Sequence, residues 1–158
     1  MSLYMTAGVG LLLALAISAQ TSAGTFFRLE VGPAVAAGVD SKVKKAVLVV
    51  RPRVCDDEAS VRITGTAEGI VNGQRQSVTL TLVALQTPGV HAVQHQWPER
   101  GDWVLHLHGT CPAAKTAAST IVPLRQNGFI REKTQVLREP ATREQIEAAL
   151  RDFARSPS

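Results

Sequence analysis

Methionine, cysteine and long apolar runs are all scarce in this chain of 158 residues, and each scarcity closes off a class of function. Both methionines, Met1 and Met5, precede residue 24, so the rest of the chain lacks the thioethers that soft Cu(I) sites use. The apolar run from Val9 to Ile17 is on the order of ten residues, about half of what a bilayer-crossing helix needs. No basic stretch with interleaved aromatics occurs. Arg51 with Arg53, and Lys42 with Lys44 and Lys45, are small groups within a net charge of +4, which reads as solvated basic surface and excludes nucleic acid as the partner. Catalytic signatures are missing too: no serine elbow, HExxH helix, P-loop or GxGxxG is found, and the sequence predicts no enzyme. Asp56-Asp57-Glu58 lacks the spacing and glycine of a calcium loop and reads as an exposed turn.

What is present begins with an export signal. The run at Val9–Ile17 is followed by the small residues Thr21-Ser22-Ala23, which predicts a secretory signal over residues 1–23, cut before Gly24. Met1 to Gly8 carries no Lys or Arg, unlike most signals, so a retained short anchor is the alternative. No cysteine follows the run, which argues against a lipid-anchored lipoprotein, and no stable membrane span is expected after cleavage. The location implied is periplasmic or secreted, with an unidentified protein of the cell envelope as partner. In that oxidising compartment Cys55 and Cys111, the only cysteines, are expected to form a disulfide. Closing a loop of roughly 57 residues would contribute about 4 kcal/mol on the chain-entropy account.

The middle of the chain reads as short strands separated by turns. Val61–Ala67 alternates strictly, Asn72-Gly73 follows, and Ser77–Ala84 continues the pattern. Asn-Gly favours a two-residue type I′ hairpin. That loop sets Val71 opposite Gln74, and then Ala67 opposite Val78, Gly65 opposite Leu80, Ile63 opposite Leu82 and Val61 opposite Ala84. Every one of those pairs falls on one face, and a slip by one residue would destroy the sorting. Further turns are expected at Pro88-Gly89 and Pro98–Asp102, and Trp103, Leu105, Leu107 and Cys111 form the apolar face of the next strand. A second hairpin is predicted around Asn127-Gly128, on a strand that Pro123 should confine to an edge.

The end of the chain changes period. Thr142 with Gln145 three residues on makes a capping box, and Ile146, Ala149, Leu150 and Phe153 recur at helical spacing. Such a stripe docks either on its own domain or, through Ile146, Leu150 and Phe153, on a partner. The organisation predicted is a signal over 1–23, an all-β immunoglobulin-like antiparallel sandwich over 24–138, and a C-terminal amphipathic helix and tail over 139–158.

The stretch Pro88-Gly89-Val90-His91-Ala92-Val93, then Trp97-Pro98-Glu99-Arg100-Gly101-Asp102-Trp103-Val104-Leu105, resembles bacterial exported Ig-like sandwiches of the YtkA-like and FixH-like kind. Over these roughly twenty residues a strand ends in an aromatic residue, and a short turn leads into Gly-x-Trp-x-Leu. The resemblance implies an Ig-like fold with Gly101 and Trp103 at its corner, and a role near the cell envelope. Relatives similar to FixH are tied to oxidase assembly and copper handling.

All four histidines fall between His91 and His108. His106 and His108 share one strand face, opposite Trp103, Leu105 and Leu107, and could approach one ion if a third ligand joined them. His91 and His95 are about 13 Å apart on a regular strand and cannot chelate together. The primary expectation is a non-catalytic binding or structural module acting through protein contacts, with no cofactor. A Cu or Zn accessory protein using His106 and His108 is the alternative.

Overall fold

The structure, a computed structural model, describes residues 26–34, 43, 45–125 and 128–155. The signal expected over 1–23 lies outside them. Among these residues ten strands and one α-helix follow in chain order: β1 Arg28–Pro33, β2 Ala46–Arg53, β3 Arg62–Val71, β4 Gln74–Thr79, β5 Leu82–Ala84, β6 His91–Gln94, β7 Asp102–Cys111, β8 Thr116–Arg125, β9 Gly128–Phe129, β10 Gln135–Leu137 and α1 Arg143–Ala154. They form two antiparallel sheets. One runs β1-β2-β6-β5, and the other runs β10-β8-β7-β3-β4, with β9 also on β8. This is the immunoglobulin arrangement of an ABED sheet over a GFCC′ sheet.

Alternation puts the core between the layers. Leu48 and Val50 from one sheet meet Leu105, Leu107 and Val122 from the other, all of them fully buried. At one end of this core Cys55, just past β2, is joined to Cys111, the last residue of β7, with a Cα–Cα distance of 5.9 Å. The bond therefore links the B and F strands of opposite sheets. At the far end of β7 the Trp103 indole lies on Gly69 and donates from Nε1 to the Arg100 carbonyl at 3.0 Å. Gly101 makes that corner possible with φ of +99°, and a Cβ there would sit 2.4 Å from the Ile70 carbonyl oxygen.

Gly73 also has a positive φ, +76°, but a Cβ there would meet nothing. Gly73→Ala is therefore expected to cost only the left-handed backbone penalty of about 1–2 kcal/mol. Gly101→Ala adds the collision with Ile70 and should cost more. Thermal melts of the two variants side by side test this, and equal losses would contradict the corner's role.

The first hairpin forms in the expected register, with Val71 opposite Gln74 and Ala67 opposite Val78. It ends sooner than the alternation suggests. Leu80 donates to Gly65 at 3.0 Å and turns into the core, and the Thr81 N–H is taken by the Gln96 side chain at 2.6 Å. Leu82–Ala84 then crosses to the other sheet and pairs with β6. The expected pairs Ile63–Leu82 and Val61–Ala84 are thus replaced, and Ile63 lies opposite Gly109 of β7.

The Pro123 expectation is also corrected. β8 is not the outermost strand: β9 and β10 both lie along its free side. Pro123 falls in the gap between them, where no donor is required and its carbonyl accepts the Ile130 N–H at 2.9 Å. The second hairpin is short, with Leu124 opposite Phe129, and Asn127 lies outside the described residues.

Helix α1 carries the complete capping box, with the Thr142 hydroxyl accepting from Gln145 N–H and the Gln145 side chain accepting from Thr142 N–H. Its apolar stripe packs on the outer face of the larger sheet. Leu150 is fully buried, and Ala149, Phe153 and Ile146 join it against Val104 and Ile121. Ile146, Leu150 and Phe153 therefore face the chain's own sheet, which corrects the partner-facing alternative. A helix of 12 residues is marginal alone, and the sheet supplies the apolar surface it needs.

Candidate functional site

A cluster of titratable and hydroxyl side chains lies on the face of the larger sheet that α1 covers. β7 alternates, so Val104, His106 and His108 point away from the core. Val104 is beneath the helix, and the two histidines continue the row outward. Register places His106 between Thr66 of β3 and Ile121 of β8, and His108 between Thr64 and Ser119.

Ser119 ties these groups together. Its Oγ lies 3.4 Å from His106 Nε2 and 3.4 Å from His108 Nδ1, and it accepts the Ala141 N–H at 3.1 Å. A hydroxyl has one proton and two lone pairs. With Ala141 occupying one lone pair, Ser119 can donate to one imidazole and accept from the other. The three contacts exhaust its capacity, and the residue has no exposed surface. Ala141 immediately precedes the Thr142 cap, so this hydroxyl fastens the entry of α1 to the sheet. Sequence reasoning missed Ser119, since a small polar residue in a strand announces nothing about a partner 22 positions away.

A second connection lies one row over. The Glu68 carboxylate, nearly buried, accepts from the Ser77 hydroxyl at 2.9 Å and pairs with Arg75 at 2.8 Å. Arg75 reaches on to Glu147 of α1 at 2.9 Å. One guanidinium thus bridges strand and helix, and it compensates a carboxylate that could not stand alone in so dry a place. The Thr66 hydroxyl, opposite His106, is buried with no hydrogen-bond partner among the described residues.

Burial pushes His106 below the ordinary imidazole range. The neighbouring His108 adds to the shift and Glu68 opposes it. A base whose folded pKa is depressed binds fewer protons than in the unfolded chain. Its contribution is complete above the unfolded value of about 6.5 and is lost as pH falls through it. Stability should therefore fall over the acidic window below about pH 6.5. Denaturant midpoints across that window test this, and His106→Gln should flatten the slope; an unchanged slope would contradict it.

His91 and His95 do not join the pair. His91 begins β6 in the opposite sheet, with Nδ1 3.0 Å from the Gly89 carbonyl oxygen, and His95 meets Trp97 edge-on at 4.6 Å between ring centres. Among the described residues no group of three His, Cys, Asp or Glu side chains is arranged to hold a metal ion. Asp57 of the acidic turn caps a short turn, its carbonyl accepting from Ser60 N–H and Oγ. Comparison with known proteins adds no assignment: no family model, no curated protein and no solved structure matches this chain.

Proposed function

We propose that this chain is an exported immunoglobulin-like module that works through protein contacts in the cell envelope and performs no catalysis. The observation that carries the reading is the commitment of Ser119. It is the hydroxyl that two histidines approach, the arrangement from which a nucleophile could be made, yet it is fully buried and holds a helix in place. The groups that could do chemistry serve the architecture instead. The Cys55–Cys111 bond supports an oxidising location.

Metal capture by His106 and His108 would have to displace Ser119 from between them and find a third ligand. Calorimetric titration with Zn²⁺ and Cu²⁺ separates the readings. The protein-contact reading expects no micromolar binding. Binding that disappears in a His106→Ala/His108→Ala double variant would replace it with the metal accessory. Thiol titration of protein recovered from the periplasmic or secreted fraction should find no free sulfhydryl, and two per molecule would remove the export argument.

A further inference from the structure

We propose that the free edge of β4 is the docking strand for an extended segment of a partner protein, one that brings a carboxylate to Arg143. This rests on the protein-contact reading above and gives it a location.

The register decides which backbone groups are available. In a two-residue hairpin the residues flanking the loop, Val71 and Gln74, form a hydrogen-bonded pair. The bonds from β4 to β3 are then made by Gln74, Gln76 and Val78, and Leu80 continues the phase with its N–H on Gly65. The N–H and C=O groups of Arg75, Ser77 and Thr79 consequently point away from the sheet. All three residues are exposed, and β4 pairs only with β3 among the described residues.

Exposed edges are ordinarily blunted by Pro, Lys, bulges or brevity. β4 has none of these, running six residues in unbroken register. Its one charge, Arg75, folds back over the sheet to Glu68 and Glu147. On the other long side Thr120 Oγ1 of β8 donates to the Leu29 carbonyl of β1 at 2.9 Å, which takes up one acceptor of that edge. On the open side β5 offers only three residues. Adding a strand to such an edge gives main-chain affinity, and side-chain pockets beside it give selectivity.

The pocket is present. A cleft of about 380 Å³ separates β4 from α1, lined by Glu68 of β3, by Arg75, Gln76 and Ser77 of β4 and by Arg143, Ile146 and Glu147 of α1, with both carboxylates already paired to Arg75. Arg143 gives it a preference. It makes no ion pair among the described residues, and it is the first residue of α1, where a cation opposes the helix dipole. A carboxylate entering the cleft would meet that guanidinium. The net charge of +4 steers acidic partners toward the chain.

The test is selection of a phage library of random twelve-residue peptides against the oxidised chain. Enriched peptides should alternate β-branched residues with Asp or Glu. Ser77→Pro removes an outward donor at an edge position that tolerates proline, and should weaken the selected peptides at least tenfold. Arg143→Glu should do the same. In the unaltered chain, bound peptide should slow amide exchange at Arg75, Ser77 and Thr79, a readout independent of any variant's folding. No enrichment, or peptides indifferent to Ser77→Pro that leave these amides unprotected, overturns the proposal. Dimers abolished by Ser77→Pro overturn it in favour of a second copy. Photo-crosslinkers placed at Thr79 and at Val136 in envelope-localised protein separate the two readings. Adducts from Val136 alone leave the protein-contact reading standing without the β4 edge, and adducts from neither position remove both.

Discussion

Replacing Cys55 and Cys111 together by alanine is expected to lower stability by about 4 kcal/mol, since the bond closes a loop across a sequence separation of 56. For a domain of this size the melting temperature should fall by roughly 10–20 °C. The bond joins strands of different sheets, so its loss frees the layers from each other without removing a strand pairing. Both cysteines are buried, and Cys111 almost entirely, so the alanines also leave a small void. Adding reductant to the unaltered protein separates these contributions, because it opens the loop and retains the sulfur atoms. A loss below about 1 kcal/mol in both experiments would mean that core packing and the Thr120–Leu29 seam hold the sheets together unaided.

The parts of the fold legible in the sequence are those governed by short-range rules. Asn72-Gly73 dictates its hairpin because both residues take positive φ, +51° and +76°, and every pair out to Thr66–Thr79 follows by counting. The capping box is equally local. Legibility ends where a distant residue decides. The alternation of Ser77–Ala84 has no break at Thr81, and the chain leaves the sheet there because Gln96, 15 residues on, takes its N–H. The premise about Pro123 was sound, since its missing donor does need an open side, but two later segments line that side and leave a gap between them. The site divides in the same way. Parity puts His106 and His108 on one face, and nothing local reveals that Ser119 on the neighbouring strand stands between them.

Helix α1 supplies the other large effect. Leu150→Ala is expected to cost about 2–5 kcal/mol, because a fully buried leucine side chain is exchanged for a cavity beneath the helix. Ser119→Ala, which removes the Ala141 bond while the apolar contacts remain, should cost only about 1–3 kcal/mol. That ordering identifies what holds the helix: burial of the Val104, Ile121 and Leu150 cluster dominates, and the Ser119 hydroxyl sets the angle of entry. Deleting residues 142–158 goes further and uncovers Val104 and Ile121, both fully buried in the intact chain. The truncated protein should bind a hydrophobic dye, melt earlier and self-associate through the bared face. It should keep its disulfide, which is made by Cys111 at the end of β7 remote from Val104. A truncation that melts at the temperature of the intact chain and stays monomeric would show that the helix lends the sandwich no stability.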